Sequence, residues 1–163
     1  MTSKRQDEPS ALTRYVVRKL WVLHRAAYRV SGGRFGLTRP RAAKRFGMMR
    51  LHTVGRRSGR PHPVILGYFP DGSNLVTLAM NGWAHEDPAW WLNLQASPET
   101  VVDLSDGSRA VTARPASGQE RERLWARFGE YPGWGDDLDL LTARRVRETA
   151  VVVLEPRDTG ESE

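Results

Sequence analysis

Leu51-His52-Thr53-Val54-Gly55-Arg56-Arg57-Ser58-Gly59-Arg60-Pro61 begins as an extended, half-apolar run and breaks at a turn bracketed by two glycines and carrying three arginines and a serine. Glycine reaches backbone conformations closed to other residues, so such a turn can bring several N–H groups together. Each guanidinium adds a two-pronged donor that matches phosphate or carboxylate. These residues fit two readings equally well, an anion site and a basic hairpin turn on the surface.

Around this turn, residues 48–53, 63–69, 75–79, 101–104, 110–113 and 151–154 read as strands. Asp71-Gly72 and Asp106-Gly107 each sit between two of these runs. An Asp-Gly pair between apolar runs is the strongest short-range hairpin signal, and it predicts an antiparallel meander. Residues 89–96 and 119–128 read as helices, with Ser117 or Gly118 beginning the second, and residues 136–147 read as a last helix after an irregular stretch at 131–135. Antiparallel strands with a few helices indicate an α+β domain or a small barrel.

At 163 residues the chain is long enough for one domain with a sizeable core. It contains no cysteine, which excludes disulfides, thiolate catalysis and cysteine-ligated metal centres. With no signal peptide or membrane-length apolar run, the expected location is the cytoplasm. The net charge of +6 hides a division: residues 1–60 hold 16 Lys and Arg against two Asp and Glu, whereas residues 61–163 hold nine against 17. The front of the chain therefore presents a positive field to an anionic partner, whether nucleic acid, acidic lipid or a polyanionic cofactor.

Part of that charge lies on an amphipathic pattern over residues 11–30. Leu12, Val16, Leu20, Leu23, Ala27 and Val30 share one helical face, and Arg14, Arg18, Arg25 and Arg29 lie opposite, near Trp21. Ser31-Gly32-Gly33 ends the pattern, and residues 34–45 read as a basic connector. Such a helix either covers a protein surface, its own or a dimer partner's, or lies on an anionic membrane surface. The expected organisation is an N-terminal helix over residues 1–31, one domain over 32–156 and a polar tail over 157–163.

A second motif, Ala79-Met80-Asn81-Gly82-Trp83-Ala84-His85-Glu86-Asp87-Pro88-Ala89-Trp90-Trp91-Leu92-Asn93-Leu94, follows the arginine turn. Together they resemble the deazaflavin-dependent nitroreductase family, whose members carry Thr-x-Gly-Arg-Lys/Arg-Ser-Gly and then Gly-x-x-x-x-x-Pro-x-Trp-x-x-Asn-Leu. Thr53, Gly55, Arg56, Arg57, Ser58 and Gly59 fill the first pattern; Gly82, Pro88, Trp90, Asn93 and Leu94 fill the second. The likeness runs from about Gly32 to Pro156, through Ser97-Pro98-Glu99 and the closing Val151-Val152-Val153-Leu154-Glu155-Pro156.

The resemblance implies a split β-barrel and coenzyme F420, a deazaflavin whose ribityl chain ends in a phosphate carrying lactate and glutamates. It places Arg56, Arg57 and Ser58 at the phosphate, with Asn93 as a further donor and Arg60 toward the glutamate tail. His62, Pro63, Val64 and Leu66, then Leu78, Ala79, Met80 and Asn81, and finally Ala89 and Trp90, would surround the ribityl chain and ring. The implied reaction is hydride transfer from the reduced deazaflavin to a quinone, an activated alkene or a nitroaromatic. Tyr131, Trp134 and Asp137 occupy positions where relatives commonly place three acceptor-pocket tyrosines, and only the first is kept. Met80 stands where relatives often have a serine, and Gly67 where some have a tyrosine. Related proteins with such an N-terminal helix are often peripheral at the inner face of the cytoplasmic membrane, and a homodimer is common on this barrel.

Other chemistry finds little support. His24, His52, His62 and His85 lack metal-ligand spacing, Asp136, Asp137 and Asp139 lack a calcium-loop pattern, and no metal is expected. There is no Gly-x-Gly-x-x-Gly and no Walker turn. The arginines are not interleaved with aromatics as in a recognition module, so nucleic acid is not the expected partner. Two alternatives to the reductase stay open: a non-catalytic binder of F420 or another anionic ligand, motivated by Met80, Gly67 and Asp137, and an FMN-binding reductase on the same barrel.

Overall fold

Six strands close into an antiparallel barrel in the order β1-β2-β3-β6-β5-β4. They are β1 Gly47–Leu51, β2 Val64–Asp71, β3 Asn74–Leu78, β4 Glu99–Leu104, β5 Gly107–Pro115 and β6 Val151–Pro156, with helices α1 Ala89–Ala96 and α2 Gly118–Phe128. This computed structural model describes residues 36–42, 44–80, 86–134, 138 and 148–157. Contacts divide the chain into Met1–Gly36 and Leu37–Glu163, and the barrel belongs to the second unit. The helix expected over residues 11–30 lies outside the described residues, as does that over 136–147 apart from residue 138. No helix among the described residues is long and apolar enough to cross a membrane.

Both expected hairpins form. Asp71 pairs with Asn74 around Gly72 at φ 61°, and Leu104 pairs with Gly107 at φ 144°. The expected meander holds only locally, because α1 follows β3 and β6 then inserts between β3 and β5. Hairpin signals report neighbours in sequence, whereas this insertion is long-range. β5 also outruns its expected bounds, since its ladders with β4 and β6 carry through the polar residues Ser108, Arg109 and Arg114.

Burial explains why β6 reads as an unbroken apolar run. Val152 and Leu154 join Met49, Leu51, Val102 and Val111 in one cluster, into which α1 delivers Trp90, Trp91 and Leu94. Val151 and Val153 face the other way, beneath Leu124 and Phe128 of α2. A strand covered on both faces has no polar side to alternate with.

Ion pairs fasten this outer layer. Arg123 donates from both terminal nitrogens to Asp71 at 2.8 Å, and Arg127 donates to Asp71 at 2.6 Å and to the Pro70 carbonyl at 3.1 Å. Arg114 similarly joins Glu120, at 2.6 and 2.8 Å, to Glu155 at 2.8 Å. At the short β1–β4 seam, Asp103 receives Ser108 Oγ at 2.7 Å and meets His52 Nε2 at 2.7 Å. Burial works to raise the Asp103 pKa, but the hydrogen bonds from Ser108 and His52 outweigh it and lower the value.

The Arg123 hydrogen bonds hold Asp71 below the usual carboxylate pKa. A depressed folded-state pKa stabilises above the unfolded value of about 3.9, and that contribution is lost as pH falls through the folded one. Asp71→Asn is therefore expected to cost about 1–2 kcal/mol at neutral pH. In denaturant titrations the gap from the native chain should narrow below about pH 4; a gap independent of pH would refute the assignment.

Candidate functional site

The arginine turn extends the β1–β2 ribbon through a bridge between Val54 and Pro61. Gly55 donates its N–H to the Arg60 carbonyl at 2.8 Å, and Gly59 donates to the Gly55 carbonyl at 2.7 Å. Gly59 sits at φ 65°, where a side chain would be strained. Gly55 is needed for room: a Cβ there would meet Ser58 Oγ at 2.5 Å and the His62 ring at 2.8 Å. The expectation that both glycines serve by conformation is thus met at Gly59 and replaced by close packing at Gly55.

Asn93 ties this turn to α1. Its Oδ1 accepts the Arg56 N–H at 3.1 Å, and its Nδ2 donates to Thr53 Oγ1 at 3.3 Å. Thr53 in turn donates its hydroxyl to the His62 carbonyl at 2.7 Å. Asn93 and Thr53 are both buried. Asn93 therefore holds the shape of the turn, and Thr53, a motif residue outside the expected cofactor-binding set, is its anchor. The Thr-x-Gly spacing was the signal that pointed to it.

What remains unengaged is cationic. Among the described residues Arg56, Arg57 and Arg60 have no carboxylate partner, and the backbone N–H groups of Arg57 and Ser58 take no hydrogen bond. By contrast Arg109, Arg114, Arg121, Arg123, Arg127 and Arg157 are all paired. Successive free N–H groups beside guanidinium groups make an anion-binding concavity. It opens on a cleft of about 530 Å³, lined by the polar Arg56, Arg57, Ser58, His62, Thr53 and Asn93 and by the apolar Pro63, Val64, Pro88, Ala89 and Trp90.

The other expected site residues lie elsewhere. Leu66 packs against the inner cluster, Leu78 and Ala79 are buried in the barrel wall, and Met80 packs against the outer cluster. Asn81 and Asp137 are outside the described residues. Tyr131 is buried and stacks on Phe69 at 5.1 Å. Trp134 packs on Phe46 at 4.8 Å and on Phe128 at 4.9 Å, and its buried indole N–H makes no hydrogen bond among the described residues. A Cβ at Gly67 would approach Phe46 at 2.9 Å and Trp134 at 3.0 Å, so these two rings fill the space over that glycine.

Over residues 21–156 the chain matches the F420H(2)-dependent quinone reductases. It belongs to that family. An F420H(2)-dependent quinone reductase of Mycobacterium tuberculosis is 33% identical over 116 residues, which are 70% of this chain and 76% of the relative. A solved F420-H2 dependent reductase has a TM-score of 0.58 at 25% identity, covering 71% of this chain and 98% of its own. A solved domain-swapped dimer shares the fold, with a TM-score of 0.61 at 24% identity, covering 85% and 99%. Membership in the F420H(2)-dependent quinone reductase family implies coenzyme F420 as the cofactor. The residues present fit it: unpaired arginines and free N–H groups suit the anionic end, and Pro63, Val64, Ala89 and Trp90 offer an apolar wall to a flat ring.

Two substitutions separate packing from binding here. In Gly55→Ala the displaced atoms are the movable ends of Ser58 and His62, so denaturation should show a loss under about 1 kcal/mol, while F420 titration should show roughly tenfold weaker binding. Asn93→Ala removes both ties of a buried amide and should lose about 1–3 kcal/mol of stability as well as affinity. Unchanged F420 affinity in both would refute this account of the cleft.

Proposed function

We propose that the turn at Arg56, Arg57 and Ser58 holds the phosphate of coenzyme F420, that Arg60 reaches the glutamate tail, and that His62, Pro63, Val64, Ala89 and Trp90 flank the ribityl chain and ring. The observation that carries this is the group of three arginines that have no carboxylate partner among the described residues and share a cleft with apolar side chains. Exposed cations normally find carboxylates where the chain provides them, as the arginines from Arg109 onward do. Arginines without carboxylate partners at an open cleft are available to an anionic ligand.

When bound, the reduced deazaflavin supplies the hydride, and the family's acceptor is a quinone. The chain's own work is to position and to exclude water. The acceptor side is assigned to Trp134 and Tyr131. The buried Trp134 N–H supports this, because an unsatisfied buried donor is uncommon and a quinone carbonyl would satisfy it. Phe46 and Trp134 fill the space over Gly67 that a tyrosine would take in some relatives. The same reading places the protein in the cytoplasm, peripheral at an anionic membrane through the amphipathic residues 11–30, and makes a homodimer the oligomer to test by light scattering, as the solved swapped dimer suggests.

Titration with F420 and with FMN, followed by ligand fluorescence, tests the cleft. The native chain is expected to bind F420 in preference to FMN, and Arg56→Ala with Arg57→Ala to weaken F420 binding by about a hundredfold, as two charge-assisted contacts imply. Preference for FMN would favour the flavin alternative, and absence of F420 binding would overturn the proposal. F420 binding without oxidation of reduced F420 by any of a panel of quinones would favour the non-catalytic alternative.

A further inference from the structure

Among the described residues the cations without carboxylate partners form two sets at opposite ends of β1. Arg56, Arg57 and Arg60 follow its last residue, and Arg41, Lys44 and Arg45 precede its first. A five-residue strand spans about 15 Å, so the second set stands well away from the phosphate end of the cleft.

That second set is built into a ribbon. Thr38 and Met48 exchange N–H···O bonds at 3.2 and 2.9 Å, and Arg41 and Arg45 exchange bonds of 2.9 Å in each direction. Lys44 also donates its N–H to the Arg41 carbonyl at 3.0 Å. The stretch expected to be a basic connector is therefore, from Thr38 on, a hairpin whose tip exposes all three cations. At its base Arg39 lies 3.7 Å from Asp106, so charge is balanced below the tip, whereas on the tip no carboxylate among the described residues balances it.

The residue after the tip is Phe46, whose ring packs on Trp134 and covers Gly67. Gly67 pairs with Met48 at the tip end of β1, whereas Val64 of the cleft wall pairs with Leu51 at the other end. Along β1 and β2 the order is thus anion turn, apolar cleft wall, Gly67 beneath Phe46 and Trp134, and basic hairpin.

We propose that the Arg41–Lys44–Arg45 tip contacts anionic phospholipid headgroups and sets the acceptor end of the barrel against the membrane surface. This rests on the assignment of Trp134 to the acceptor side. The chemistry favours lipid: a quinone partitions into hydrocarbon, and a compact basic tip next to the acceptor side would bring that side to the bilayer. Single-stranded nucleic acid is instead held by a long basic groove with aromatic stacking platforms, and the tip carries no exposed aromatic residue.

The test is sedimentation of the full chain with vesicles of phosphatidylcholine alone or mixed with phosphatidylglycerol, comparing the native protein with Arg41→Gln, Lys44→Gln, Arg45→Gln. The side chains are exposed and the hairpin bonds are made by backbone, so the variant should keep its fold, its F420 affinity and its turnover of a water-soluble quinone. Its partition onto the anionic vesicles should be weaker by roughly a hundredfold, as three surface charges imply. Raising salt should weaken native binding toward that of the variant. Any contribution of residues 11–30 is common to both proteins and cancels in the comparison. Equal vesicle binding by native and variant overturns the proposal, as does native binding that ignores phosphatidylglycerol, or tighter native binding to random DNA than to the anionic vesicles at physiological salt. F420 titration of the same samples reads the cleft separately. F420 binding without vesicle binding refutes the headgroup contact alone; no F420 binding refutes the cleft, and the headgroup contact is then decided by the vesicle comparison.

Discussion

Helix α1 must enter the barrel, and the rest of the arrangement depends on that packing. Trp90, Trp91 and Leu94 fill the inner cluster, and Asn93 on the same short helix reaches the Arg56 N–H and the Thr53 hydroxyl. The core therefore sets the position of the anion turn directly. Buried aromatic residues contribute large apolar areas and tolerate little displacement. A cation-rich loop is thus tied by the Asn93 amide to the packed core, which is how a binding turn becomes preorganised.

Charge is distributed with the same economy. From Arg109 onward the described arginines are paired, several across strand or helix boundaries, and they join α2 and the neighbouring strands to the barrel. Ahead of β2 Arg39 and Arg50 are paired with Asp106 and Asp103, but among the described residues the cations on the hairpin tip and on the anion turn have no carboxylate partner. Partly exposed ion pairs are individually weak. Their bidentate geometry at Asp71 and Glu120 makes them effective as fasteners. The unpaired set repels itself and would favour any anion that approaches.

Local features were legible in the sequence, and features that depend on distant partners were not. The Asp-Gly hairpins, the bounds of α1 and the basic turn could be read because turn chemistry, periodicity and glycine spacing act within a few residues. The insertion of β6 between β3 and β5 left no local mark beyond an apolar run. The structural ties of Asn93 could not be read, because an exposed and a buried amide are identical in sequence; only the fold shows its oxygen and one N–H engaged with the turn. The hairpin over Thr38–Met48 was hidden by its charges, which break the alternation by which strands are recognised.

The position of β6 also governs how the chain reaches this state. Strands β3 and β5 are each hydrogen-bonded on one side by an earlier neighbour, but their other sides wait for the last strand to arrive. Until then the nascent barrel is an open sheet with two unpaired edges and an uncovered apolar interior. Such edges are templates for pairing between chains. Closure over so long a sequence separation is slow, so the interval before it is when this protein is most exposed to aggregation during synthesis.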